Sequence, residues 1–202
     1  MMAAEVSLAM VRFLFGLIIG ILLLPVAAYL WLSYGRPPVA AADKPLPFEE
    51  KIVEGPLQAR IRHEAPQKAP IEANEATLIA GARIYREQCA YCHGLSGTPS
   101  QVGKNMFPDA PPLWEKHHDS VVGVSDDPPG ETYWKVANGI RLTGMPAYKG
   151  ALSETEMWQV SLLLSQADKP LPPAAIQLLK EPLSLTPGVL NLQQMKAPVP
   201  RN

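Results

Sequence analysis

Cysteine and histidine are scarce in this chain, whose 202 residues include two cysteines and four histidines. A single disulfide would use both cysteines, and structural zinc usually needs two paired clusters of ligands. The formal net charge of −1 gives no basic footprint for nucleic acid. The sequence also contains nothing that resembles a hydrolase triad, a P-loop or a dinucleotide fingerprint. Its chemistry therefore depends on few residues.

The two cysteines stand close together, at Cys89 and Cys92, and His93 follows them directly. This C-x-x-C-H run is the attachment signature of c-type haem, in which two thiols bond the vinyl groups of the porphyrin and an imidazole binds the iron. The sequence therefore predicts one covalently attached haem c held by these three residues.

The far face of an iron bound by His93 needs a sixth ligand. A thioether is soft and neutral, favours ferrous iron and raises the reduction potential relative to a second imidazole. Met145 stands between Gly144 and Pro146, which predicts that it lies in a loop rather than in a helix stripe. Met106 is the rival thioether. An ordinary core methionine is the alternative for Met145, since methionine often fills irregular gaps.

Other assignments use the same polar residues. A zinc ion would take both cysteines and His93, with His117 or His118 as the fourth ligand. A haem with two axial histidines would also draw on that pair. A disulfide between the two cysteines explains neither His93 nor the methionine loop.

The segment over residues 75–168 resembles a class I mono-haem cytochrome c, a small all-α domain around one haem. The resemblance rests on a helix ending in C-x-x-C-H, a Pro-rich loop, Asn-Gly-Ile before Gly-Met-Pro, and a closing helix with an aromatic residue. It implies that Met145 is the sixth ligand. It also implies that the carbonyl of Pro111 accepts a hydrogen bond from the ring nitrogen of His93 that does not bind the iron. The expected site residues are Cys89, Cys92, His93, Met145 and Pro111, with the iron bound by His93 and Met145.

Two long helices are predicted in this segment. Asn74 caps a helix over residues 75–90, and a capping box opens a closing helix over residues 154–167. The resemblance implies that the two helices cross where Gly81 supplies a small side and Tyr85 an aromatic one.

An apolar run over residues 13–32 lies near the start of the chain, between Arg12 and Arg36. About 20 residues at about 1.5 Å each reach about 30 Å, the thickness of the hydrocarbon core of a bilayer. Aromatic residues crowd the C-terminal end of the run, as in an interfacial belt. We expect a retained single transmembrane helix. A cleaved signal peptide is the competing interpretation, because residues 26–28 and 40–42 resemble cleavage sites.

The 22 prolines are about twice the usual share and favour extended segments around one compact core. We expect an all-α chain with an N-terminal transmembrane helix and extended Pro-rich segments. Short helices are predicted near residues 58–63 and 174–180. The linker either stays mobile or lies on a neighbouring subunit, across which the tail also wraps. The predicted divisions are a membrane anchor at 1–36, an extended periplasmic linker at 37–74, a cytochrome c domain at 75–168 and a Pro-rich tail at 169–202.

These features predict a membrane-anchored one-electron carrier, a haem c subunit of a respiratory or other membrane oxidoreductase, that is not itself an enzyme. The expected partners are the membrane, integral-membrane oxidoreductase subunits, and redox donor and acceptor proteins, with no nucleic acid. Resemblance to bacterial c-type cytochromes implies a cytoplasmic N-terminus and a periplasmic haem domain at the cytoplasmic membrane. A catalytic or gas-sensing haem protein with a labile sixth ligand, or a mainly structural assembly subunit, is the alternative.

Overall fold

The computed structural model describes residues 2–117 and 121–183. Apart from two isolated bridges, the described residues contain no β-structure, so the all-α prediction is confirmed. A π-helical turn, Tyr85–Cys89, joins α3 to α4, and a 3-10 turn, Gly103–Asn105, follows α4. The α-helices in the described part are α1 (Met2–Tyr34), α2 (Glu49–Glu64), α3 (Glu75–Ile84), α4 (Ala90–His93), α5 (Pro129–Asn138), α6 (Glu154–Leu164) and α7 (Pro173–Lys180).

Helix α1 has the length and composition of a membrane span over Ala9–Tyr34, a stretch of 26 residues. At about 1.5 Å per residue this stretch reaches about 39 Å, more than a hydrocarbon core requires. Its side chains are exposed throughout, which suits contact with lipid. The boundary between two compact units of the chain falls between Pro47 and Phe48, so α1 belongs to the first unit and the other helices to the second.

Helices α3 and α6 begin at the predicted caps. The Asn74 side chain accepts a hydrogen bond from the Thr77 backbone N–H at 3.0 Å. At the start of α6, Ser153 Oγ accepts from the Glu156 N–H at 3.3 Å, and the Glu156 carboxylate accepts from the Ser153 N–H at 2.7 Å. The Ser153 hydroxyl, followed by its backbone N–H, lowers the pKa of the Glu156 carboxyl. Local side chains thus fix where each helix starts.

Helices α3 and α6 touch at Gly81. A Cβ on Gly81 would overlap the backbone carbonyl of Gln159 and lie 3.1 Å from the Cβ of Leu163. One turn later Tyr85 is fully buried, and its hydroxyl donates to the Gly94 carbonyl at 2.7 Å. Burial raises the pKa of Tyr85 above its usual value. The predicted crossing, a small residue followed by an aromatic one, is confirmed.

Helix α7 belongs to the same core, because Ala175 and Leu179 are buried in the cluster formed with α3 and α6. A helix is therefore present near the predicted residues 174–180, but it packs on the haem-bearing unit itself. The chain beyond residue 169 is therefore not an extended tail throughout, because two apolar side chains of α7 are buried in the core. The tail expected to wrap across another subunit spans residues 169–202, of which residues 184–202 lie outside the described part.

Arg86 fastens the end of α7 to the π turn. Its guanidinium donates to the carbonyls of Leu178 at 3.1 Å, Pro182 at 2.7 Å and Glu181. The last carbonyls of a helix lack partners within the helix and carry partial negative charge, so a cation is favourable there.

Helix α2 has 16 residues, longer than the short helix expected in an extended linker. Ile61 is fully buried, and the Glu64 carboxylate accepts from the indole N–H of Trp134 on α5 at 2.9 Å. Arg60 pairs with Glu64 at 2.8 Å and lies 5.9 Å from the centre of the Trp134 ring. The sequence does not predict a helix of this length, because Pro56 and the mixed charges interrupt the apolar periodicity of α2. The stability of α2 therefore comes from its contact with α5 and not from a strong apolar pattern in its own sequence.

Substitution of Gly81 by alanine is expected to lower the free energy of unfolding by about 1–3 kcal/mol, because the new methyl group displaces the Gln159 carbonyl. Denaturant unfolding of the detergent-solubilised, haem-loaded protein measures this. Gly55→Ala is the matched control, since nothing lies within 4 Å of that Cβ position. We expect it to change stability by less than ~1 kcal/mol. Equal stability of the two variants would contradict a close crossing.

Substitution of Glu64 by glutamine is expected to loosen α2. Arg60 first, and then Trp134, lowers the pKa of Glu64 from 4.5 in the folded state. A carboxyl with a depressed folded pKa stabilises above its unfolded value, and this stabilisation is lost as pH falls through the folded pKa. Hydrogen exchange of α2 amides, corrected for intrinsic rates, should therefore accelerate below pH 4.5 in the wild type. In Glu64→Gln the α2 amides should exchange faster than in the wild type even above pH 4.5, and the acceleration below pH 4.5 should be absent. The exposed control Glu54→Gln should exchange as the wild type does.

Candidate haem site

The C-x-x-C-H residues end the helical run that begins at Glu75. The π turn finishes at Cys89, and α4 carries Cys92 and His93 before Gly94 ends it with φ +76°. A π turn has a wider hydrogen-bonding ring than an α turn and so re-aims the residues that follow it. The structure therefore presents all three motif side chains at the end of the helix that crosses α6.

Both thiols are free rather than joined in a disulfide. Burial, and secondly the neighbouring Cys92, raises the pKa of the Cys89 thiol to about 12. Burial also raises the pKa of Cys92. The two side chains are therefore protonated at neutral pH, and both remain available for thioether bonds.

The imidazole of His93 is held by the residue that the resemblance implies. Its Nδ1 lies 2.8 Å from the carbonyl oxygen of Pro111. Because a carbonyl oxygen can only accept, Nδ1 carries the proton and the lone pair belongs to Nε2. Burial lowers the pKa of His93, and the bond to Pro111 offsets part of this effect. A neutral ring with Nε2 unprotonated is the form that binds a metal.

The loop that leads to Pro111 is fastened to the backbone of α4. Ser100 Oγ donates to a carbonyl of α4 at 2.6 Å and accepts from the Gly103 N–H at 3.0 Å. Gly103 lies so close to the Cys92 carbonyl that a Cβ would overlap it. The Gly103 carbonyl in turn accepts from the N–H of Ala110 at 3.1 Å. Sequence reasoning missed these residues, since only the pairing of serine and glycine in a turn hints at their role.

Met145 lies in the loop between α5 and α6, as predicted, and is half-buried against the core. Its N–H donates to Thr143 Oγ1 at 3.1 Å, and that hydroxyl donates to the Ile140 carbonyl at 2.7 Å. The Ile140 N–H donates a hydrogen bond to the Met145 carbonyl at 3.3 Å. Gly139, with φ +65°, passes close to this segment, since a Cβ there would lie 2.8 Å from the Met145 carbonyl oxygen. The backbone of Met145 is therefore fixed within its own loop.

Tyr148 brings the methionine segment to the motif. Its hydroxyl donates to the carbonyl of Gln88, the residue before Cys89, at 2.8 Å. Its backbone N–H donates to the Val136 carbonyl at 3.0 Å. Burial raises the pKa of Tyr148 to about 12, and the neighbouring thiols of Cys89 and then Cys92, which ionise only at high pH, add to this effect. The structure thus places the segment that carries Met145 beside the thiols.

The rival ligands are arranged differently. No group of three or more His, Cys, Asp or Glu side chains in the described residues is placed to hold a metal ion, so this part of the chain offers no zinc cluster. The ring Nε2 of His117 donates to the carbonyl of Gly123. His118 lies outside the described residues. Met106 lies against Gly144, next to Met145.

Comparisons with known proteins match the same region. Residues 76–162 match the sequence model of the family described as cytochrome c oxidase, cbb3-type, subunit III. Residues 76–162 form a c-type cytochrome domain. The matched range contains the C-x-x-C-H motif, Pro111 and Met145, and this cytochrome domain implies one covalently attached haem c. Electron transfer is the function that such a domain implies.

A thiosulfate dehydrogenase of Stutzerimonas stutzeri is 33% identical to this chain over 101 residues. The aligned part is 50% of this chain and 30% of that relative, so the chain spans about a third of the length of the curated relative it matches. The similarity supports the c-type cytochrome domain.

The residues of the cytochrome domain fit a haem c. Two free thiols stand two residues apart, and the imidazole that follows them presents Nε2 while Nδ1 is bonded to Pro111. When bound, the haem supplies an iron that changes between the ferric and ferrous states.

Replacement of both Cys89 and Cys92 by serine is expected to abolish covalent attachment, because a hydroxyl does not form the thioether bond. Haem staining after denaturing electrophoresis measures this. Each single substitution should keep the stain through the remaining thioether. Ser96→Ala, a change close to the motif, is the control and should stain like the wild type. Haem that stays with the denatured double variant would contradict attachment through these two thiols.

Proposed function

We propose that this chain is a membrane-anchored one-electron carrier. Its haem is bonded to Cys89 and Cys92, and the iron is ligated by His93 and Met145. The observation that supports this most directly is the 2.8 Å hydrogen bond between His93 Nδ1 and the Pro111 carbonyl, which orients Nε2 as a metal ligand.

Two separately fastened ligands suit outer-sphere transfer. The loop of Pro111 fixes the ring of His93, and the bonds among Ile140, Thr143 and Met145 fix the backbone from which the Met145 side chain extends. Little then reorganises when an electron arrives. With His93 and Met145 both bound, the iron would have no vacant position for a substrate, so we propose that the chain does not itself convert one. The protein sets the potential through ligand identity, burial and hydrogen bonding.

Helix α1 supports a location at the bacterial cytoplasmic membrane. We propose a single pass with a cytoplasmic N-terminus and a periplasmic haem domain. Resemblance to bacterial c-type cytochromes implies haem attachment on the outer side of this membrane, which supports the proposed orientation. Arg12 and the N-terminal amine precede the apolar run, whereas Arg36, Lys44 and Lys51 follow it, so the positive-inside rule does not itself favour a cytoplasmic N-terminus.

The matched family is described as a cytochrome c oxidase subunit, and the matched relative is a thiosulfate dehydrogenase. Because the similarity lies in the haem-bearing region, we propose that this chain is the haem c subunit of a respiratory or other membrane oxidoreductase. It would exchange electrons with protein donors and acceptors. The 30% of the thiosulfate dehydrogenase that aligns with this chain supports electron carriage.

Visible spectra of the solubilised protein test the ligand pair. We expect the ferric wild type to show the weak far-red band of a methionine–iron bond and the ferrous form to bind no carbon monoxide at neutral pH. Met145→Ala should remove the band, admit carbon monoxide and lower the reduction potential by on the order of 100 mV. Met157→Leu, at a buried methionine of α6, is the control and should leave all three properties unchanged.

Two outcomes would contradict this proposal. A wild-type ferrous protein that binds carbon monoxide and lacks the far-red band in its ferric form would support the catalytic or gas-sensing alternative. A His93→Ala variant that assembles with its partners and sustains electron flow would support a structural role. Assembly without electron flow would instead support the carrier.

A further inference from the structure

A second methionine contacts the loop that carries Met145. The Cβ position of Gly144 overlaps the methyl group of Met106 and lies 3.6 Å from its sulfur. Apart from chain neighbours, no other described atom lies within 4 Å of that position. Gly144 is not among the residues with a positive φ, so a left-handed backbone is not the reason for a glycine here. The end of the Met106 side chain therefore occupies the space that a side chain on residue 144 would enter.

The backbone of Met106 is fixed to the haem motif. Met106 follows the turn Gly103–Asn105 directly, and its N–H donates to the Gly103 carbonyl at 3.3 Å. Gly103 itself lies against the carbonyl of Cys92, as described above. The base of the Met106 side chain is therefore held to the segment that carries Cys92 and His93.

The loop that carries Met145 has few packing contacts of its own just before Gly144. Arg141 and Leu142 are exposed, and Leu142 is 80% exposed with φ +64°. A leucine in the left-handed region is strained, and this one buries little apolar surface in return. The half-buried Met106 supplies a packing contact where the loop turns back toward Met145.

We propose that Met106 is a positioning residue for Met145. Its side chain extends from the motif segment to Gly144 and limits how far the methionine loop can swing away. This inference rests on the proposed ligation of iron by His93 and Met145, and it adds a residue that acts through Met145 without binding the iron itself. The methyl end of Met106 is directed at Gly144, which suits packing.

Binding of imidazole to the ferric holoprotein tests the proposal, because imidazole competes with the axial methionine. Met106→Ala should bind imidazole about tenfold more tightly, equivalent to ~1.4 kcal/mol. It should retain the far-red band until imidazole is added. Met106→Leu keeps most of the side-chain volume and should lie within about twofold of the wild type. Val102→Ala, an exposed change in the same loop, is the matched control and should also behave as the wild type.

A double-mutant cycle identifies the contact itself. Gly144→Ala in the wild-type background pushes the Met106 methyl group aside, and imidazole affinity should rise several-fold. In the Met106→Ala background the space is vacant, and the same substitution should change affinity by less than about twofold. Equal effects of Gly144→Ala in both backgrounds would overturn the proposed contact.

The remaining outcomes separate this inference from the proposed function. If the wild type shows the far-red band and Met106→Ala binds imidazole as the wild type does, the positioning role is wrong and the ligand pair stands. If Met106→Ala loses the band while Met145→Ala keeps it, Met106 is the ligand and both proposals are overturned. A wild type without the band overturns the ligand pair and, with it, the role of Met106. A tighter imidazole affinity accompanied by an unchanged thermal midpoint in circular dichroism supports positioning over general destabilisation.

Discussion

The contact between Gly81 and the Gln159 carbonyl is the constraint on which the rest of the fold depends. The helical run from Glu75 to His93 is continuous, so the place where α3 crosses α6 also decides where the motif ends up. A side chain at the crossing would push the two backbones apart and separate Tyr85 from the core that buries it. The haem-bearing residues are thus positioned by a packing contact more than two helical turns away.

Around this fixed helix the site is completed by two loops. Each loop is held by hydrogen bonds of its own, from Ser100 and Gly103 on one side and from Thr143 and Ile140 on the other. A typical hydrogen bond contributes only about 0.5–1.5 kcal/mol net. These hydrogen bonds matter mainly because they fix the orientation of the loop backbones from which Pro111 and Met145 face the motif.

The features predicted from the sequence are those encoded locally. The spacing of Cys89 and Cys92, the cap at Asn74 and the capping box at Ser153 each involve residues a few positions apart, and the structure contains all of them. The membrane-span length of α1 is likewise a property of one uninterrupted run. The missed features join distant residues: Glu64 meets Trp134 across 70 positions, and Arg86 meets Leu178 across 92. Such contacts follow from the way the helices pack, which no short pattern in the sequence records.

The packing of α2 also has a mechanical meaning. A load applied to the chain ahead of Phe48 enters the second unit through α2, before it reaches Asn74 and the helix that carries the motif. Ile61, together with the bond from Trp134 to Glu64, transmits that load sideways into α5. The close approach of Gly130 to the Pro66 carbonyl adds a second point of attachment just beyond α2. Tension on the chain ahead of α2 would therefore meet these two attachment points before the segment that carries Cys89 and Cys92.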